Sequence, residues 1–124
     1  MVKSSFVQLK IFYTKYKGLN IDDFKNKNVL AFAGIGNPKN FFNLLKNNNI
    51  NVLKEFSFPD HYNYLDKELD NLIEKSKELD AILLTTEKDF FRINENYKNS
   101  IKHLKIKIEI HNKNEFIEEI KKII

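Results

Sequence analysis

The sequence predicts an α/β domain: a mostly parallel sheet of about four strands between two layers of helices, preceded by a β-strand arm. Three observations carry this. Short apolar runs at 28–33, 51–58, 81–84 and 104–110 alternate with segments whose apolar residues recur every three to four positions. Such alternation of strand and helix favours parallel pairing through crossover helices. The runs at 28–33 and 81–84 are nearly all apolar, as in central strands covered on both faces. Finally, polar and Gly-containing clusters follow the strands, where this class of fold keeps its chemistry.

Each element has a local reason. Ser5 to Thr14 alternates well enough for a strand with one polar face, and the polar stretch Lys15 to Lys27 holds Gly18 and several Asn and Asp residues. Residues 1–27 are therefore expected to form a linker arm, and residues 28–124 the domain. Asn28 to Ala33 is the first central strand. Pro38 suits the first turn of a helix, where its missing N–H costs nothing. Phe41, Phe42, Leu44 and Leu45 give that helix an apolar face, and Asn47-Asn48-Asn49 ends it. Asn51 to Phe58 is the second strand. Leu65, Leu69, Leu72, Ile73 and Ser76 mark an amphipathic helix. Ala81 to Leu84 is a third strand, with a short helix beginning at Glu87. Leu104 to Ile110 alternates as a fourth strand with Leu104, Ile106, Ile108 and Ile110 on one face. Asn112 is placed to cap a last helix with Glu115 three residues on; Phe116, Ile117, Ile120, Ile123 and Ile124 supply its apolar face.

Composition narrows the function classes. A chain of 124 residues is long enough for one domain with a genuine core. It has no Cys, hence no disulfide framework or thiolate metal site, which fits a reducing compartment. No run approaches the roughly 18 apolar residues of a membrane span, so a soluble, cytoplasmic domain is expected. The net charge is +4, carried almost wholly by scattered lysines, with Arg92 the single Arg. Nucleic-acid binders cluster their charge and favour Arg, so no nucleic-acid partner is expected. Weak attraction to an anionic membrane surface is compatible with this balance. The abundance of Lys, Asn, Ile and Phe reflects A/T-rich codons.

Three clusters carry candidate chemistry. Ala31-Phe32-Ala33-Gly34-Ile35-Gly36-Asn37-Pro38 reads as a strand breaking into a turn that opens a helix. It is no phosphate loop: Gly-x4-Gly-Lys-Ser/Thr occurs nowhere in the chain, and the dinucleotide fingerprint's third Gly falls on Lys39. Gly34 and Gly36 either make a tight turn or admit an anion or another segment to a helix N-terminus. Phe58-Pro59-Asp60-His61-Tyr62 places an acid and an imidazole on the next strand-end loop. His61 there is a general base, an orienter of a carboxylate, or a structural residue. Thr85-Thr86-Glu87-Lys88-Asp89 reads as an N-cap with acids in the first turn. Lys88 and Arg92 share the spacing of one helical face, where they hold an anion or are solvated. His103 and His111 lack metal-ligand spacing to His61 and are expected at the surface, with no metal site in the chain.

Taken in order, Ala-Phe-Ala-Gly-Ile-Gly-Asn-Pro (31–38), the Phe-Phe helix (41–42), Phe-Pro-Asp-His-Tyr (58–62) and Leu-Thr-Thr-Glu-Lys-Asp (84–89) resemble the C-terminal half of the tetraacyldisaccharide 4′-kinases, the lipid A 4′-kinases. The resemblance runs from the arm to Arg92. It implies a small three-layer Rossmann-like lid domain of an enzyme that moves the γ-phosphoryl group of ATP to the 4′-hydroxyl of a lipid A disaccharide 1-phosphate. ATP and Mg2+ would be bound mainly by an N-terminal P-loop half, the chain's expected partner, at the cytoplasmic face of a Gram-negative inner membrane. By the same resemblance His61 pairs with an aspartate of that half and helps it take the hydroxyl proton. Asp60 supports His61, and Gly34, Gly36, Asn37, Thr85, Thr86, Glu87, Lys88 and Asp89 are the supporting positions behind it. Leu65 stands where the family usually carries a small hydroxyl residue, and Phe90-Phe91 is bulkier than the pattern. Without a phosphate loop the chain alone is expected to be inactive. The alternative is a non-catalytic α/β module that binds a nucleotide, an anionic lipid head group or a protein.

Overall fold

The computed structural model describes residues 13–18 and 20–110, and divides the chain into two compact units. One is a two-stranded antiparallel ribbon. Strand β1 (Tyr13–Gly18) pairs with β6 (Ile106–Ile110) from Tyr13 opposite Ile110 to Gly18 opposite Ile106, with one irregularity between Tyr13 and Lys15. The expected strand over 5–12, His111 and the expected helix over 112–124 lie outside the described residues.

The other unit, Leu19–Lys105, is the α/β body. In order come a 3-10 turn (Ile21–Phe24), β2 (Asn28–Ala33), α1 (Pro38–Asn47), β3 (Asn51–Ser57), α2 (Asp66–Glu78), β4 (Ile82–Thr86), α3 (Glu87–Phe90), a second 3-10 turn (Glu95–Ser100) and β5 (Lys102–Leu104). The sheet order is β3-β2-β4-β5, and every pair in it is parallel. The expected mostly parallel α/β sheet of about four strands is thus present.

The sequence period explains the layers. Every residue of β2 after Asn28 is buried, and alternate side chains of a strand point to opposite faces. Leu30 and Phe32 join Leu69 and Leu72 of α2, Leu83, Ile93 and Ile101 in one cluster. Val29, Ala31 and Ala33 point to the other face, where α1 lies against β2 and β3 and buries Phe41, Phe42 and Leu45. Two helices end at residues in the left-handed region, Asn49 (φ 61°) after α1 and Asp80 (φ 50°) after α2. Asn and Asp tolerate that conformation better than other non-Gly residues.

Three expectations about the elements change. The strand expected over 104–110 is two strands in two units. Leu104 ends β5, and the Lys105 N–H is taken by Asn20 Oδ1 at 2.8 Å, while Asn20 Nδ2 donates to the His103 carbonyl at 3.0 Å. This side-chain clamp interrupts the ladder, and the chain leaves the parallel sheet there. The same clamp shows that residues 20–27 are not a plain linker: Ile21 and Phe24 are buried in the body. Helix α2 also begins one residue later than its apolar stripe: Leu65 is the N-cap and is 63% exposed. Glu68 Oε1 helps secure this end, accepting the Leu65 N–H at 3.0 Å.

His103 is less exposed than expected. It is half-buried in β5 and stacks on Phe90, ring centroids 4.1 Å apart. Phe90 is thereby accommodated, whereas Phe91 stands 69% exposed. Burial holds the His103 imidazole below its usual 6.5, Lys105 and Lys98 add to this, and Glu87 opposes it. No helix among the described residues is long and apolar enough to cross a membrane.

Two outcomes follow from these ends and edges. Leu65→Ser supplies the missing side-chain cap of α2 and should raise stability by about 1 kcal/mol, read from the urea midpoint. The unfolded His103 protonates first as pH falls through 6.5, so its contribution to stability is complete above that pH and declines below it. His103→Phe keeps a stacked ring without a proton to gain. It should shrink the loss of stability between about pH 7.5 and 5.5; an unchanged loss would show that His103 does not contribute to it.

Candidate functional site at the strand switch

The order β3-β2-β4-β5 sends the connection after β2 toward one edge of the sheet and the connection after β4 toward the other. Open α/β sheets have a crevice where neighbouring strands diverge in this way, outside their carboxyl ends. Here that crevice is bounded by Gly34 after Ala33, by Thr86 and α3 at the end of β4, and by the 58–64 loop after β3.

Asp89 ties these three segments together. It is fully buried. Its Oδ1 accepts from the Gly34 N–H at 3.0 Å and from the Tyr64 hydroxyl at 2.9 Å. Its Oδ2 accepts from the same Gly34 N–H at 3.1 Å and from the Thr86 hydroxyl at 2.6 Å. The Asp89 N–H in turn donates to Thr86 Oγ1 at 3.0 Å, so Thr86 caps α3. A buried carboxylate is tolerable only when donors replace its lost water, and charge-assisted bonds of this kind are the strong ones. Burial raises the Tyr64 phenol well above its usual range, Asp89 adds to this, and Arg92 acts in the opposite sense. Tyr64 therefore stays a hydroxyl donor to Asp89.

Gly34 permits the junction. It is not in the left-handed region; what it supplies is room. A Cβ there would lie 3.0 Å from the Pro59 carbonyl oxygen, 3.0 Å from the Tyr64 hydroxyl and 3.1 Å from Tyr62 Cβ. A Cβ on Gly36 would meet nothing closer than Asp60 Oδ2 at 3.7 Å. The 58–64 loop rests on the core through Phe32, Phe58, Tyr62 and Tyr64, whose rings touch at centroid distances of 5.0–6.3 Å. The Tyr62 hydroxyl donates to both oxygens of Glu68, at 2.9 and 2.8 Å.

On this base His61 is presented outward. Its backbone is left-handed (φ 58°), its N–H donates to the Gly34 carbonyl at 3.2 Å, and its side chain is 69% exposed. That conformation costs a non-Gly residue about 1–2 kcal/mol and persists where surrounding contacts over-determine it. His61 Nε2 lies 3.7 Å from Asp60 Oδ2, itself solvent-exposed. The imidazole is thus free to meet a carboxylate or a hydroxyl from outside this unit.

The expected site residues separate into groups. Gly34, Asp60, His61, Thr86 and Asp89 come together, with Gly36 beside Asp60. Asn37 is the N-cap of α1 without a side-chain cap bond. Thr85 is committed to the sheet, its hydroxyl donating to the Phe32 carbonyl at 2.7 Å. Lys88 is exposed, and Glu87 is half-buried toward His103. Lys88 and Arg92 form no common helical face, because α3 ends at Phe90; the Arg92 Nη1 and Nη2 atoms are buried without a hydrogen-bond partner among the described residues. Tyr64 was missed. Its signal is the tyrosine spacing after His61, since a buried Tyr needs a partner for its hydroxyl.

No cluster of three or more His, Asp or Glu suited to a metal ion occurs among the described residues. Asp89, buried at this junction, has both oxygens taken by protein donors. The residues here do not fit a resident Mg2+.

Gly34→Ala forces three atoms apart and should cost about 1–3 kcal/mol, whereas Gly36→Ala should be neutral or slightly stabilising. Denaturant titration of the two variants checks this; equal effects would remove the role given to Gly34.

Comparison with known proteins assigns the family. The model of the family described as "Tetraacyldisaccharide-1-P 4'-kinase" matches residues 4–124. The tetraacyldisaccharide 4'-kinase of Pelagibacter ubique is 43% identical over 97 residues, covering 77% of this chain and 31% of that protein. The Rickettsia typhi enzyme is 47% identical over 93 residues, covering 75% and 28%. A crystal structure of "apo" form LpxK from Aquifex aeolicus in complex with ATP shares 31% identity with a TM-score of 0.50, covering 82% of this chain and 29% of that one. The chain thus spans about three-tenths of the length of the relatives it matches. With nearly its whole length inside the family model, and with the crevice built from the same blocks that carry the resemblance, the chain belongs to the tetraacyldisaccharide-1-P 4'-kinase family.

Proposed function

We propose that this chain is the lid-side part of a kinase that transfers the γ-phosphoryl group of ATP to the 4′-hydroxyl of a lipid A disaccharide 1-phosphate. It presents His61 to a site completed by a P-loop half, at the cytoplasmic face of the inner membrane. The observation that carries this reading is the exposed imidazole on a left-handed backbone, held at the switch-point crevice by the buried Asp89 junction.

Phosphoryl transfer asks for positioning, neutralisation of the phosphate charge and a place for the hydroxyl proton. The 4′-oxygen bonds to the γ-phosphorus, the bond from that phosphorus to the bridging oxygen breaks, and ADP leaves with the electron pair. The hydroxyl proton passes to a carboxylate of the P-loop half, and His61 orients that carboxylate or shares its proton. Asp60, with Oδ2 3.7 Å from Nε2, is the acid beside the imidazole in this loop. The other half would hold the ATP and supply the neutralisation of its phosphate charge. Bringing His61 from a separate unit makes catalysis depend on closure, which keeps water from the phosphoryl group.

A second reading, a module that binds an anionic head group or nucleotide, draws on a groove of about 410 Å³ whose lining includes Lys27, Lys98, Lys102 and His103. Asp23 lines the same groove, and Lys98 is paired with Glu95 at 3.0 Å. The little free charge left makes this the weaker reading.

In the chain assembled with its P-loop half, His61→Ala should lower kcat on the order of a hundredfold or more, with the KM for ATP nearly unchanged. Activity within threefold of the parent would sink the catalytic role of His61.

A further inference from the structure

We propose that Asp89 is a positioning residue for His61, acting through the peptide of Gly34. The inference rests on the kinase reading of His61 and goes beyond it, because it assigns a task to a carboxylate that touches no substrate. Gly34 is bonded on both sides of its backbone. Its N–H points to both oxygens of Asp89, at 3.0 and 3.1 Å, and its carbonyl accepts the His61 N–H at 3.2 Å. Asp89 is fully buried and anchored in α3 by its own N–H bond to Thr86. A rigid helix start is therefore linked, through one glycine, to the amide of the residue whose imidazole faces out.

A second link joins the same carboxylate to the same loop. The Tyr64 hydroxyl donates to Asp89 Oδ1 at 2.9 Å, three residues beyond His61, and the Tyr64 ring packs on Phe32 at 5.3 Å. His61 is thus bracketed: Asp89 holds its amide through Gly34 on one side and the loop's return through Tyr64 on the other. Nothing else in the unit bonds the His61 backbone among the described residues, and its side chain is exposed, so no packing of the imidazole sets its direction. The left-handed backbone at His61 has to be maintained by these bonds. Asp89→Asn keeps the shape, but in either orientation of the amide its NH2 group faces the Gly34 N–H, which loses one of its two acceptors, so the link from Asp89 to Gly34 is loosened.

The test pairs two readouts. In the full chain, amide hydrogen exchange of Asp89→Asn should speed at His61 by at least about tenfold while the β2 amides of Val29 to Phe32 keep their protection. In the chain assembled with its P-loop half, the same variant should lose turnover on the order of a hundredfold, with KM for ATP and for the acceptor within about twofold of the parent. Uniform loss of protection across β2, or a rise in KM matching the fall in kcat, marks a general structural role and overturns the proposal. So does a His61 amide as protected as in the parent, or full turnover despite its exposure. If Asp89→Asn does not fold, Tyr64→Phe removes one donor without changing the ring and is judged by the same criteria, with smaller shifts expected. An active His61→Ala enzyme overturns the catalytic role of His61 on which this inference rests. The exchange measurement, which needs no activity, keeps that failure distinct from a failure of the link between Asp89 and the His61 amide.

Discussion

One buried carboxylate organises the functional end of this domain. Asp89 sits with no solvent exposure, and its two oxygens collect the Gly34 amide, the Tyr64 hydroxyl and the Thr86 hydroxyl. A lone charge in that place would be strongly destabilising. With three donors it becomes the point at which the ends of β2 and β4 and the return of the 58–64 loop are fixed relative to one another. The glycine at 34 follows from this constraint, because a side chain there would collide with the Pro59 carbonyl and the Tyr64 hydroxyl. The aromatic set of Phe32, Phe58, Tyr62 and Tyr64 follows as well, since it supports the loop that the carboxylate pins.

The sheet topology decides what this junction is for. A parallel sheet whose connections diverge between β2 and β4 leaves a crevice at their carboxyl ends. The same arrangement that buries Asp89 pushes His61 outward, with its backbone in a conformation that costs energy and its imidazole unpacked. Asp60 lies beside the imidazole, at a distance longer than a hydrogen bond. Such a residue has its use in something that docks against it, which in the kinase reading is a carboxylate of the P-loop half.

Much of the body was legible in the sequence because its signals are local. The apolar run at 28–33, Pro38 ahead of Phe41 and Phe42, and the spacing of Leu69, Leu72 and Ser76 each reflect one element packing on one face. The break at Lys105 was not legible, since it is made by the side chain of Asn20, 85 residues away in sequence. The 3-10 turn at Ile21–Phe24 was hidden because two apolar residues among acids and lysines make no periodic pattern. At the site, the types of residue were visible but their ranking was not. Asp60 beside His61 drew attention as the supporting acid, whereas Asp89 does more, through Tyr64 and Gly34, which lie 25 and 55 residues from it. Lys88 and Arg92 carried helical spacing, but α3 is too short to use it.

The most direct measurement is a structure of this chain assembled with its P-loop half, closed on a non-hydrolysable ATP analogue and the disaccharide acceptor. The account predicts a His61 imidazole nitrogen within hydrogen-bond reach, about 2.6–3.2 Å, of a carboxylate from the other half that also faces the 4′-hydroxyl. The bonds from Asp89 to Gly34 and Tyr64 would be unchanged. An imidazole turned to solvent in the closed complex, with no group of the other half beside it, would contradict the account.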